Sequence, residues 1–311
     1  MKAKELSRKA IRITNSAVNG LVLGIVVALL FLAGYALWDS EQMHQAAGRS
    51  IYEVYKPSEK DDGKSFKDLQ AINKDVFAWL TVYGTNIDYP VTQATDNMKY
   101  VNTNAEGNYS LTGSIFLDYR NCGSFGDFNS ILYGHHMQKK AQFGEIGSFA
   151  SKEVFDSHRY GNLYFDGKDH GIEFFAFVHT DAYDGAVYTA SIEVGKRQVY
   201  LDGLYAKSLH SRDIGVCSDD RIILLSTCSS NSTNGRDILV GRITFEAYRN
   251  TFIDTKTTQG EKVTLSVDSP VKIFKELPLS FQVLEAVLTA LLVVVILAIF
   301  HRRKKNRSKD T

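Results

Sequence analysis

Cysteine and proline are scarce in this chain, with three and four residues among 311. So few cysteines exclude a disulfide-stapled scaffold, and an odd number leaves at least one thiol free unless it pairs between chains. A bridge between Cys122 and Cys217 would leave Cys228 free, but the sequence does not decide whether it forms. With few prolines and no repeat or low-complexity tract, most of the chain is expected to pack. An excess of one charge is missing too: 36 basic residues face 35 acidic ones, a net charge of +1. That balance excludes the broad basic face of a general nucleic-acid binder.

Long apolar runs, by contrast, are present at both ends. Residues 17–37 form 21 positions without a charge. That length spans a hydrocarbon core of about 30 Å as a helix. Lys2, Lys4, Arg8, Lys9 and Arg12 precede it against the single acid Glu5, and Asp39 and Glu41 follow. The excess of positive charge puts residues 1–16 in the cytoplasm. A cleaved signal peptide is the competing reading, although its apolar stretch is usually shorter, about 7–15 residues. Residues 277–300 form a second run, interrupted only by Glu285 and followed by a basic tail over 301–311. The two spans together predict a hairpin with both termini inside and residues 38–276 outside.

Within the exterior part, residues 38–72 are polar with helical stretches and read as a stalk or an amphipathic N-terminal helix. From Asp75 the texture changes to short runs rich in Val, Ile, Phe and Tyr, separated by turn residues. Residues 77–83, 86–93, 114–118, 130–133, 162–165, 171–180, 221–227 and 237–245 predict eight short strands, hence a barrel or sandwich. Residues 142–158 and 191–210 read as helices packed on its outside. Trp79 and Phe174, Phe175 and Phe177 read as core. The domain is expected over 73–250, with a linker over 251–276.

Three residues at strand ends carry the chemistry. The apolar run Ile222-Ile223-Leu224-Leu225 leads through Ser226 and Thr227 to Cys228. Ile131-Leu132-Tyr133-Gly134 leads to His135, and Arg236 opens another strand-like run eight residues after Cys228. Cys228 suits a nucleophile, since a nearby cation favours its thiolate. Taken alone it reads rather as a buried structural cysteine. His135 suits a general acid and base. Its neighbour His136 is the rival, and on a strand the two side chains face opposite sides. The adjacent pair lacks the spacing of metal ligands. Arg236 suits oxyanion stabilisation through its planar, permanently charged fork. Its competitor Arg242 faces the same side about 20 Å further along the strand. Thr227, Ser226, Asn97 and Tyr133 are candidate substrate-binding residues, with Asp118 a further neighbour.

The order of these motifs resembles a class B sortase. The likeness rests on Asn73-Lys74-Asp75-Val76-Phe77-Ala78-Trp79-Leu80 running into Gly84-Thr85-Asn86-Ile87-Asp88-Tyr89-Pro90-Val91, on Gly113-Ser114-Ile115-Phe116-Leu117-Asp118, on Asn129 through Met137, on Leu225-Ser226-Thr227-Cys228, and on Arg236 with the strand after it. It covers residues 70–248. The 93-residue separation of His135 and Cys228 leaves room for the added helix that separates class B from class A. The resemblance implies a mainly β fold: an eight-stranded barrel with peripheral helices, here flanked by two membrane spans. It implies a membrane-anchored cysteine transpeptidase on the outer face of a Gram-positive cell. In the family the catalytic histidine directly follows the glycine, which selects His135. Cys228 would attack a sorting motif in a secreted protein and form a thioester. An amine would then resolve it, on a peptidoglycan precursor in an anchoring enzyme or on a pilin lysine in a polymerase. No cofactor and no metal are implied. A second span is unusual for class B and more familiar among pilus-building class C enzymes. Leu277-Pro278-Leu279-Ser280-Phe281 superficially resembles a sorting signal but lacks the Thr-Gly that a sortase cleaves.

A thiol protease releasing its product to water is the other enzymatic reading. Papain-like enzymes place cysteine before histidine, and the caspase signature Q-A-C-x-G is absent around Cys228. A tethered scaffold with a dead barrel is the non-enzymatic one. The topology has a direct test: protease added outside whole cells is expected to spare tags at residues 1 and 311, and loss of the C-terminal tag contradicts the hairpin.

Overall fold

The computed structural model describes residues 2–58, 64–137, 140–228 and 234–252. The expected second span over 277–300, the tail over 301–311 and nearly all of the linker lie outside them. Helix α1 (Lys2–Ala47) contains the N-terminal apolar run. Its stretch Leu6–Trp38 contains an 18-residue window with a mean hydropathy of 2.5 and no buried positions, and has the length to cross a membrane.

Nine strands follow: β1 (Val76–Val82), β2 (Asp88–Thr92), β3 (Ile115–Leu117), β4 (Asn129–Tyr133), β5 (Tyr160–Phe165), β6 (Lys168–Asp181), β7 (Ser208–Ser211), β8 (Arg221–Cys228) and β9 (Gly235–Thr244). They run in the order β5-β1-β2-β3-β4-β8-β9-β6, and β6 pairs back onto β5. The result is the eight-stranded closed barrel that the sequence predicts. Closure leaves no free edge among these strands. The β2–β3 and β4–β8 pairs are parallel and the rest antiparallel. Strand β6 bends at a register shift between Phe174 and Ala176, as an extra residue in a ladder requires.

The ninth strand falls at the end of the span read as a helix over 191–210. That span resolves into a 3-10 turn at Val194–Lys196, helix α4 (Arg197–Lys207), and β7 on the edge of β6. (Helices α2 and α3 are Lys64–Ile72 and Lys152–Ser157.) Residues 142–158 likewise give a 3-10 turn at Ile146–Ala150 and then α3, whose N-terminus Ser151 caps by accepting from the Val154 amide. Each predicted helix is shorter than its apolar spacing suggested. A period of three to four fits 3-10 turns and short helices alike.

Two apolar clusters explain why the β8 run is continuous rather than alternating. Ile223 and Leu225 join the barrel interior with Leu80, Leu132, Phe143 and Leu239. Ile222 and Leu224 join an outer cluster with Ile131, Ile238, Val240 and, from α4, Leu201 and Leu204. A strand covered on both faces needs apolar residues on both. Trp79, Phe174, Phe175 and Phe177 are all buried, as read from the sequence. The segment over 38–72 is more than a spacer. Tyr52, Phe66 and Leu69 are buried in the barrel's main core, and Phe66 packs edge-on to Trp79 at 6.3 Å between centroids.

At the barrel end remote from Cys228, Glu173 is a buried carboxylate held by Arg159 at 2.7 Å and Arg242 at 2.9 Å. Burial alone would raise its pKa; the two guanidinium groups outweigh that and hold it below the usual glutamate value. A depressed carboxyl contributes stability above the unfolded pKa, and that contribution disappears as pH falls through the folded value. Glu173→Gln is expected to cost about 3 kcal/mol of unfolding free energy at pH 7. The cost should shrink on acidification to pH 3, read by denaturant titration at both pH values.

Candidate active site

The β8–β9 ladder sets the first geometric relation. Cys228 lies directly across from Arg236, Thr227 across from Asp237, and Ser226 across from Ile238. Residues directly opposite in an antiparallel pair share a face, with Cβ atoms about 5 Å apart. The β4–β8 ladder sets the second. Tyr133 is level with Ser226, and the Gly134 amide continues the ladder by donating to the Ser226 carbonyl at 3.2 Å. His135 follows the end of β4 by two residues, at the same end of the sheet as Cys228 and Arg236. Cysteine and arginine thus occupy facing positions on β8 and β9, and the histidine lies just past the end of β4, the strand next to β8.

His135 is held at both its backbone and its ring. Its ring Nε2 lies 2.9 Å from the Val101 carbonyl oxygen. A carbonyl only accepts, so Nε2 carries the hydrogen and Nδ1 remains to exchange protons in the neutral ring. His136 diverges from it. Half-buried, it lines a cleft of about 590 Å³ with His179, Lys207, Phe177 and Asp237. There His179 Nδ1 meets the buried Asp237 carboxylate at 2.8 Å. Arg236 is half-buried and donates through Nη1 to the Gly235 carbonyl. Arg242, its rival, is committed to Glu173 at the far end of β9. Of these two, the guanidinium without a carboxylate partner among the described residues is therefore the one on the residue opposite Cys228.

The four candidate substrate-binding side chains fare differently from their sequence reading. Ser226 is 2% exposed, and its hydroxyl meets Tyr188 Oη at 2.8 Å. Thr227 is also buried, with Oγ1 unpartnered among the described residues. Neither hydroxyl is open to a groove, because alternate residues at this end of β8 lie under neighbouring elements on both faces. Asn97 and Tyr133 are half-buried and turn instead to Asp118. Asn97 Nδ2 donates to it at 3.1 Å and Tyr133 Oη at 3.0 Å.

Asp118, a minor neighbour in the sequence, is the hub. Wholly buried, it also accepts from Arg120 Nε at 2.8 Å, Arg120 Nη2 at 2.7 Å and the Arg120 amide at 3.0 Å. Burial alone would raise its pKa, but the Arg120 guanidinium, the Arg120 amide and Asn97 together hold it below the usual aspartate value. Tyr133 is pushed the other way, by burial and then by the Asp118 charge, so its hydroxyl stays a donor. The Tyr133 ring stacks on Tyr188 at 6.1 Å between centroids. Sequence reasoning missed Arg120 and Tyr188. Arg120 had a signal, an arginine two residues after a strand-end aspartate. Tyr188 had none, since it comes from the long connection after β6. Among the described residues, no cluster of three or more His, Cys, Asp and Glu side chains is arranged to hold a metal ion.

No family model matches the chain. It is similar to sortase B of Listeria monocytogenes, 33% identical over 179 residues, which cover 57% of this chain and 73% of that protein. The crystal structure of sortase B from the Type II pilus of Streptococcus pneumoniae aligns at 46% identity with a TM-score of 0.52, over 58% of this chain and 99% of that one. The Staphylococcus aureus sortase B–substrate complex aligns at 27% identity with a TM-score of 0.55, over 66% and 93% respectively. With the closed barrel and the order of its motifs, these likenesses establish that the chain belongs to the class B sortases, which are cysteine transpeptidases.

Proposed function

We propose that Cys228 is the nucleophile, His135 the general acid and base, and Arg236 the oxyanion-stabilising group of a sorting-motif transpeptidase. The observation that carries this reading is the register that sets Cys228 opposite Arg236, with His135 following the end of the strand that pairs with β8 on its other side. The Cys228 thiolate attacks the scissile carbonyl carbon, and the oxyanion that develops takes hydrogen bonds from the Arg236 guanidinium. As the tetrahedral adduct collapses, the carbon–nitrogen bond breaks and the leaving amine takes its proton from His135. A thioester on Cys228 remains. An incoming amine then attacks it, loses a proton to His135 and displaces Cys228 as thiolate. The product is an amide, and the histidine regains the proton it gave. The Nε2–H bond to the Val101 carbonyl supports this cycle, since it leaves Nδ1 as the exchanging nitrogen.

The donor is a secreted protein bearing a sorting signal, and α1 anchors the enzyme at the outer face of the membrane. A peptidoglycan cross-bridge amine is the acceptor that the sequence reading put first. A pilin lysine is the second reading, favoured by the 46% identity to the pneumococcal pilus sortase B. Asn97 and Tyr133 contribute through Asp118, by holding the Tyr133–Tyr188 ring pair beside the site.

Sorting-motif peptides incubated with the protein are expected to give a covalent adduct by mass spectrometry, and Cys228→Ala to give none while remaining folded. An adduct persisting on Cys122 or Cys217 would overturn the nucleophile. Arg236→Lys is expected to lower kcat about a hundredfold, since one point charge does not replace the planar fork. Adding oligoglycine or a pilin-type lysine peptide separates the acceptors, and product released only to water would mark a protease.

A further inference from the structure

Gln142 lies outside every motif that carries the family resemblance, yet it is among the most heavily bonded side chains near His135. It is 4% exposed. Its Oε1 accepts from the His135 amide at 3.2 Å, and its Nε2 donates to the carbonyl oxygens of Thr112 at 2.6 Å and Gly113 at 3.2 Å. Its own amide donates to Tyr89 Oη at 3.0 Å. Only one orientation of the side-chain amide satisfies this set, because the reverse would face N–H with NH2 and two carbonyls with oxygen. The backbone at Gln142 has φ of +46°, a conformation that side chains other than glycine seldom adopt. Such a backbone persists where surrounding bonds hold it.

The same amide reaches the imidazole by a second route. Gly113 (φ +57°) lies so close to Val101 that a Cβ there would stand 2.5 Å from the Val101 carbonyl oxygen. That oxygen is the acceptor for His135 Nε2. The Ser114 amide ties the next residue to the Tyr100 carbonyl at 3.0 Å. One buried amide therefore grips the His135 main chain on one side and, on the other, the strut carrying the carbonyl that orients its ring.

We propose that Gln142 is the positioning residue for His135, fixing its backbone directly and its ring through Thr112, Gly113 and Val101. The proposal rests on the reading of His135 as the proton-exchanging group. Gln142 is buried behind that histidine, so its loss changes proton transfer and leaves peptide binding alone.

The test uses the full chain in detergent, with the folded fraction measured by circular dichroism so that kcat refers to folded enzyme. Gln142→Leu is expected to lower kcat per folded site roughly ten- to a hundredfold, with KM within about twofold. The 15N shifts of His135 in histidine-labelled protein should lose the Nε2–H signature that the unsubstituted chain displays. Gln142→Glu keeps the size and the acceptor for the His135 amide but lacks the donor to Thr112, and should show a smaller loss. Unchanged kcat per site and unchanged ring shifts in both variants would overturn the proposal. If neither variant folds, the unsubstituted chain decides: slow hydrogen exchange at the His135 amide supports the proposal, while fast exchange or an Nδ1–H ring overturns it. Absence of any thioester in the unsubstituted chain would instead count against the transpeptidase reading.

Discussion

The pairing register of β8 against β9 is the constraint on which the site depends. A slip of one residue would carry Arg236 to the opposite face of the sheet from Cys228 and bring Asp237 in its place. The register is pinned because β8 and β9 are buried on both faces. A slip would exchange the residues fitted to the barrel interior with those fitted under α4. Polar anchors reinforce it along β9: Asp237 is held by His179 at the Cys228 end, and Arg242 by Glu173 at the other. The pairing of Cys228 with Arg236 is thus secured by packing over the whole strand length rather than by local contacts alone.

Around that sheet end two buried side chains sit in closed hydrogen-bonded sets, although Thr227 Oγ1 has no partner among the described residues. Asp118 meets Arg120, Asn97 and Tyr133, and Gln142 meets His135, Thr112, Gly113 and Tyr89. A half-satisfied buried group costs about 1–3 kcal/mol, whereas a completed set is rigid. Rigidity is the gain, since proton transfer and oxyanion binding depend on reacting atoms held within small tolerances. The two adjacent histidines illustrate the division. His135 is fixed at backbone and ring, while His136 lines the cleft of His179 and Asp237.

The eight barrel strands, their order along the chain and the positions of Cys228, His135 and Arg236 at or just past strand ends were legible in the residues, because period, turn residues and apolar runs are local properties. The continuous Ile222-Ile223-Leu224-Leu225 run fits a strand covered on both faces. Helix lengths were less legible. The spacing over 191–210 fits helix, 3-10 turn and edge strand in succession, and only pairing with β6 selects β7 for its last residues.

Local pattern could name the reactive residue types but not the groups that hold them. Asp118, Tyr188 and Gln142 are remote in sequence from most of the residues they touch, and one of the bonds on His135 is made to a main-chain carbonyl, which every residue possesses. The burial of Ser226 and Thr227 and the commitment of Arg242 to Glu173 likewise follow from which elements close over them. The sequence by itself determined the barrel's strands and the chemistry available at their ends. The tertiary structure decided which side chains are free to use that chemistry, because hydrogen bonds and burial between distant segments form only once the barrel has closed.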